Sequence, residues 1–265
     1  MMAGGRTTAE RHGWKLAIQS WTFHSIPLVQ AIDSTAALGV KYIEVYPSHR
    51  IGGQAGDKGF DYTLDDATLS WILSYAKSRG VRIVGSGVFT TDKREEWLRE
   101  FSFAKRAHLE YITAEPRMQD WPLVDSLVRK TGIRISVHNH PKPSEYWNPQ
   151  HLLDAISTRS PRIGSCADVG HWRRCGLDPV ECMKVMGNRI ISLHFKDIVA
   201  GDNPEAMHDT VWGTGILDLR GMLSYLKSIR FKGYFAIEYE YDWDHSMPLM
   251  ARSIRYFNSL ADELY

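Results

Sequence analysis

Cysteine is scarce: Cys166, Cys175 and Cys182 are an odd set without CxxC spacing. That excludes a disulfide framework and a thiolate zinc site and leaves reduced thiols as the expectation. No apolar run approaches the roughly 20 residues needed to span a bilayer, and the opening MMAGGRTTAERHGWK lacks a hydrophobic signal core. No membrane association is expected. A cytoplasmic location follows, with a removed export leader left open because Met1 to Gly5 could be a cloning scar in its place. Excess charge is missing too: 32 Lys and Arg against 31 Asp and Glu give +1, so no global basic field invites nucleic acid or anionic lipid. There is no Pro/Ser-rich linker, no dinucleotide-binding glycine fingerprint and no sequence repeat. What is present is 265 residues, 43% hydrophobic, with 21 Gly and 11 Pro, enough to bury a full core. Disorder, a mini-protein and a collagen-like chain are excluded.

Hydrophobic periodicity alternates between strand and helix along the chain. KLAIQSWTF precedes a helical stripe of Leu28, Ile32 and Ala36, and Leu38-Gly39-Val40 leads into the strand KYIEVYP. A glycine-rich loop, Gly52 to Gly59, reads as a lid or a plain connection. Asp65 or Asp66 can cap a helix bearing Leu69, Ile72, Leu73 and Ala76 before VRIVGSG. Helices over 93–108 and 121–130 precede YITAEP and IRISVHNHP. Helices from Pro149 and Pro179 precede RIGSCADVGHW and RIISLHFKDI, with proline in the first turn as the cap asymmetry favours. Leu219, Leu223 and Leu226 stripe a helix before YFAIEYE, and Met250, Ile254, Phe257 and Ala261 stripe the last. Eight pairs of about 33 residues predict an α/β chain folded as a single (β/α)8 TIM barrel. A doubly wound sheet is the runner-up. Residues 15–265 are expected to form the barrel, and 1–14 a disordered tail or cloning remnant.

In such barrels chemistry sits at the C-terminal ends of the strands, where residues two apart share the inward face. The fourth strand brings Thr113 and Glu115, the fifth Ser136, His138 and His140, and the sixth Cys166 and Asp168. The seventh brings Ser192, His194 and Lys196, and the eighth Ala236, Glu238 and Glu240. Carboxylates gathered at a barrel mouth repel and are costly to desolvate unless something positive sits among them. Mixed imidazole and carboxylate donors suit Mn²⁺, Zn²⁺, Co²⁺ or Mg²⁺. The expected ligands of one such ion are Glu115, Asp168, His194 and Glu238. Each has a plainer role available: Glu115 in a turn before Pro116, Asp168 as a helix cap, His194 as a satisfied core histidine.

The motifs IEVYP, EP, HNHP, DVGH followed by GLDP, LHFKD, GTGILD and IEYE resemble, from Lys15 onward, the xylose-isomerase-like sugar isomerase/epimerase superfamily of TIM barrels. DxxH followed by HxKD is the more specific part of the match. The resemblance implies that Glu115, Asp168, His194 and Glu238 hold one divalent cation, that the two glutamates also move protons, and that His171 contacts substrate oxygens. A cation chelating a ketose carbonyl and its neighbouring hydroxyl would acidify the carbon-bound proton between them. Glu238 would abstract that proton and Glu115 return it.

The implied function is a divalent-metal-dependent sugar isomerase/epimerase acting on a small keto-sugar. The alternative is a lyase, dehydratase or hydratase on a keto-sugar or keto-glycoside using the same metal site. Where many epimerases of the family carry an arginine beyond the seventh-strand histidine, this chain has Lys196, Asp197 and Ala200, which weakens simple epimerisation. His140 and Lys196 join the glutamates as catalytic candidates; His138, His171, Trp21 and Glu44 are expected at the substrate. Phe23, Trp172 and Trp212 could wall the pocket or simply pack. An apurinic-site endonuclease shares the barrel and DxxH but needs histidines where Glu44 and Ser86 stand. The partner expected is a small carbohydrate, with no nucleic acid or membrane, and a homo-oligomer stays open.

Overall fold

The computed structural model describes residues 6–265. Eight strands close a parallel barrel in sequential order: β1 (Trp14–Gln19), β2 (Tyr42–Val45), β3 (Arg82–Phe89), β4 (Tyr111–Ala114), β5 (Arg134–His138), β6 (Ile163–Asp168), β7 (Ile190–Phe195) and β8 (Gly233–Ile237). β8 pairs with β1, Trp14 opposite Gly233 and Ile18 opposite Ile237, and this closes the ring. The doubly wound alternative falls, because it would leave two open edges.

The tail expected over 1–14 differs from what forms. Residues 1–5 lie outside the described residues, but α1 (Thr8–Arg11) is a helical turn fixed by a capping box between Thr7 and Glu10. Ala9 is buried there, His12 stacks on Tyr265 at 3.6 Å, and β1 begins at Trp14. The N-terminal segment is therefore anchored by its cap and by the C-terminal helix.

The outer ring comprises α2 (Leu28–Ala37), α3 (Asp66–Ser78), α4 (Arg94–Arg106), α5 (Trp121–Thr131), α6 (Pro149–Ile156), the short α7 (Val169–Arg174), α8 (Pro179–Met186), α9 (Leu219–Ser228) and α10 (Ser246–Leu264). Their apolar stripes meet the outward residues of the strands: Ile112, Ile135, Val137, Leu193 and Ile237 all belong to the main buried cluster with Leu69, Ile72, Leu152 and Leu223. The barrel's inner floor is a separate cluster of Ala17, Val84, Tyr111, Tyr234 and Ala236. Above that floor the inward positions turn polar.

Two small hairpins decorate the mouth. The Gly52–Gly59 segment belongs to one of them, His49–Arg50 paired with Gly59–Phe60, with Ile51 and Phe60 fully buried. Its ends are packed, whereas Gly53, Gln54 and Gly56 to Lys58 are exposed. The other pairs Asp197–Ile198 with Asp209–Thr210. The Asp197 carboxylate organises the loop that follows, accepting from the backbone N–H of Ile198, Gly213, Gly215 and Leu217 at 2.9–3.1 Å. A Cβ on Gly215 would stand 2.2 Å from Asp197 Oδ1, so the HFKD and GTGILD motifs are one structural unit.

Candidate active site

Asp168 is the last residue of β6 and the N-cap of α7. Its Oδ1 accepts from the backbone N–H of His171 at 2.7 Å, and its fully buried Oδ2 faces the Lys196 ammonium at 3.0 Å. The cap and ligand readings are therefore compatible, one per oxygen. The same turn places the His171 ring beside it, Nε2 3.6 Å from Oδ2. Asn139 fixes the strand end by bonding both backbone groups of Asp168, at 2.8 and 3.0 Å. Gly170 is required because a Cβ there would sit 2.6 Å from Cδ of Lys196.

Two imidazoles face Asp168, each held from behind by a carboxylate. His194 Nε2 lies 3.1 Å from Glu44 Oε1, and His194 Nδ1 points at Glu238 Oε2, 3.0 Å away. His138 Nδ1 lies 3.1 Å from Glu115 Oε1, and His138 Nε2 is 3.6 Å from Asp168 Oδ2. Both inward nitrogens, like Asp168 Oδ2, are buried. One donor atom from each of His138, Asp168, His194 and Glu238 lies within 4.8 Å of all the others. Buried polar atoms are normally paired; these three buried atoms face charged groups of the same cluster, Asp168 Oδ2 with Lys196 Nζ at 3.0 Å and His194 Nδ1 with Glu238 Oε2 at 3.0 Å, in a donor set that could hold a cation.

The electrostatics agree. Burial opposes ionisation of Asp168, but His171, Lys196 and His138 hold its carboxyl well below the usual range. Glu238 is likewise held low against burial by His194 and Lys196. Burial pushes His138 down, yet Asp168 and Glu115 pull it up to about 10. The centre draws positive charge, and Lys196 supplies part of it: its Nζ lies 3.0 Å from Asp168 Oδ2, 3.0 Å from Glu238 Oε2 and 2.9 Å from Glu240 Oε2.

The structure arranges the expected donors differently at one point. Glu115 lies just past the end of β4, and its carboxylate is taken up locally. Oε1 faces His138 Nδ1 and accepts from the His140 backbone, with His140 Nδ1 at 2.6 Å, and Oε2 accepts from Ser144 at 2.9 Å. His138, expected at the substrate, groups with Asp168, His194 and Glu238 in a set that could hold a metal ion, and also with His140 and His171 in a second. Glu44, also expected there, is wholly buried and reached by Gln19, Tyr111 and His194 instead.

A cleft of about 380 Å³ opens over these groups, lined by Trp21, Tyr46, His140, His171, Glu238 and Glu240 among others. That is large enough for a small ligand. Trp21 is 40% exposed and stands at the cleft, whereas Phe23, Trp172 and Trp212 are buried packing residues. Gln19, Tyr46 and Tyr111 were not signalled by the sequence pattern. Gln19 ends β1 between apolar and aromatic residues, and Tyr111 sits in the apolar floor with only its hydroxyl turned to Glu44.

The closed eight-stranded parallel barrel carries imidazole and carboxylate groups at its C-terminal strand ends, the architecture of a TIM barrel with its site at the usual face. The chain belongs to the xylose isomerase-like TIM barrel family, whose model matches residues 120–260. Among solved structures it is similar to an uncharacterised protein from Parabacteroides distasonis ATCC 8503, with 30% identity, 93% of this chain and 99% of that chain covered, and a TM-score of 0.77. At the level of fold alone it is similar to the probable 3-DHS dehydratase AsbF from Bacillus anthracis (14% identity, 92% and 98% covered, TM-score 0.72). The same holds for an L-ribulose 3-epimerase (12% identity, 94% and 95% covered, TM-score 0.72). No curated protein matches the chain. Among the described residues no helix is long and apolar enough to cross a membrane.

Proposed function

We propose that this protein is an enzyme that binds one divalent cation through His138, Asp168, His194 and Glu238 and acts on a small keto-sugar by moving a carbon-bound proton next to the carbonyl. The observation that carries this reading is the pair of imidazoles, each backed by a carboxylate, whose inward nitrogens face the carboxylates of Glu238 and Asp168. Two nitrogen and two oxygen donors suit Mn²⁺, Zn²⁺ or Co²⁺, with Mg²⁺ a poorer match to imidazole. When bound, such an ion polarises the carbonyl and neighbouring hydroxyl of the sugar and so acidifies the proton between them.

The residues divide the remaining work. Glu238 borders the cleft and makes its contacts to Lys196 and His194 through Oε2, so its carboxylate is placed to take the proton. Lys196 balances the negative charge and keeps Glu238 ionised, the form a base requires. His140 comes from just beyond β5, three strands from β8 around the barrel, is half exposed and holds Glu115 at 2.6 Å. It is the group placed to return a proton across the cleft, with Glu115 acting through it. His171 lies beside Asp168 at the cleft wall, where it can bond a sugar hydroxyl. Return to the same or the neighbouring carbon makes the enzyme an epimerase or isomerase.

A second reading, elimination or hydration, is favoured by one feature. His140 lines the cleft with Glu238 and is bonded to the Glu115 carboxylate at 2.6 Å, and an imidazole so supported suits protonation of a departing oxygen.

Metal analysis of the purified protein should find about one divalent ion per chain, and incubation with a panel of keto-sugars in D₂O should place deuterium next to the carbonyl. Protein that binds no dication, or that binds one and neither exchanges nor eliminates with any sugar, overturns this assignment.

A further inference from the structure

The cleft over the donor set is not the whole cavity on this face. A wider groove of about 780 Å³ opens beside it, walled by Lys142, Arg174, His208 and Tyr241, and His171 and Glu240 line both spaces. The two adjoin at His171 and Glu240. The groove is larger than the cleft at which the reacting ring is placed.

Its walls are prebuilt. Arg174, at the end of α7, bonds Met207 O and Asp209 Oδ1, both at 3.0 Å, and lies 3.2 Å from His171 Nδ1. Asp209 in turn accepts from the backbone N–H of Glu240 at 2.9 Å, tying the second hairpin to the end of β8. The rings of His208 and Tyr241 stack at 3.7 Å, and Tyr241 remains 46% exposed. A rigid aromatic plate bordered by polar groups is the surface that takes the C–H face of a sugar or another flat ring. A phosphate would call for uncommitted cations. Here Arg174 is paired with Asp209, Lys142 Nζ lies over the Trp147 ring at 4.0 Å, and Glu205 and Glu240 line the same groove.

We infer that the substrate is a glycoside: the reacting ring sits over the donor set, and a neutral second unit, joined through the glycosidic oxygen, lies in the groove against Tyr241. The identity of the reacting ring rests on the keto-sugar reading above. Occupation of the groove by a linked unit does not, and it can be measured without turnover.

The test is equilibrium binding to the full chain by calorimetry or ligand-observed NMR. The probes are matched pairs: methyl against phenyl glucosides of both anomers, methyl glucosides against maltose and cellobiose, and glucose against glucose 6-phosphate. The two-unit member of at least one pair should bind about tenfold more tightly than its methyl partner, and Tyr241→Ala should collapse that ratio toward one. His208→Ala should reduce it as well. Equal binding within every glycoside pair, no binding by any of them, a ratio unchanged in Tyr241→Ala, or a preference for glucose 6-phosphate over the disaccharides overturns the inference. Groove binding in a protein that neither exchanges nor eliminates with keto-sugars would leave the groove assignment standing and remove the chemistry, so the two failures are distinct.

Discussion

Glu44 Oε1 lies 3.1 Å from Nε2 of His194 at the buried centre of the barrel, and the same carboxylate accepts from Gln19 Nε2 at 2.9 Å and Tyr111 Oη at 2.8 Å. It cannot meet a substrate. It fixes which nitrogen of His194 faces inward and raises the basicity of that nitrogen. Partners of this kind tune metal affinity by about 10–100-fold. Glu44→Gln keeps the shape and removes the charge and one acceptor, so dication affinity, measured by competition with a chelator, should fall by about that factor and the thermal midpoint should drop as buried donors lose a partner. Unchanged affinity would reduce Glu44 to a barrel-filling residue.

His138 and Glu115 make a sharper pair, because the motif reading and the geometry divide them differently. With His138 as donor and Glu115 as its support, His138→Ala should abolish dication binding, whereas Glu115→Gln should weaken it about 10–100-fold and leave stoichiometry at one. Were Glu115 itself a ligand, its substitution would cost as much as that of Asp168. Calorimetric titration of the three variants with Mn²⁺ or Co²⁺ separates the cases.

This pair also marks how far the sequence could be read. The barrel was legible because eight apolar strand segments alternate with helix-period stripes and each handover carries its own punctuation. Asp168, His194 and Glu238 were legible for a related reason: each ends such a strand on the polar, inward phase. Period fixes the face, however, and not the distance a side chain travels. Glu115 and His138 share that face on neighbouring strands, and the Ser144 hydroxyl and the His140 backbone, contributed by the loop after β5, draw Glu115 aside. Trp172 and Trp212 were ambiguous likewise, since aromatic residues near a mouth can line it or pack beneath it, and only burial decides.

Asp197 follows Lys196 directly, and both its oxygens accept from backbone N–H groups. Its carboxylate holds three backbone N–H groups of the loop that carries WGTG and that of Ile198, and burial raises its carboxyl even against those bonds. Asp197→Ala would strand several of these donors, each unsatisfied buried group costing about 1–3 kcal/mol. Destabilisation of at least ~2 kcal/mol in urea unfolding is expected. Asp197→Asn, which keeps only one acceptor oxygen, should fall between that variant and the parent. A variant as stable as the parent would mean that the loop finds water in place of the carboxylate.

Glu100 provides a test of pH dependence away from the proposed dication site. It lies on α4, is 2% exposed, and its Oε1 has no hydrogen-bond partner. Burial, with Asp61 adding repulsion and a bond from Ser86 only partly offsetting both, lifts its carboxyl from 4.5 to about 8. A raised carboxyl means that the native state keeps a proton the unfolded chain releases. Stability contributed by this group is therefore full below about pH 4.5, falls steadily as pH rises, and levels off above about pH 8. At pH 7 the interval from 4.5 corresponds to a penalty of about 3 kcal/mol. Glu100→Gln removes the titration and retains the shape, so it should be more stable than the parent at pH 8, about equal at pH 5, and show a flatter curve between. Chemical denaturation at both pH values reads the difference directly. Parallel curves for the two proteins would mean that Glu100 is ionised in the native fold, with a counter-charge or water at Oε1.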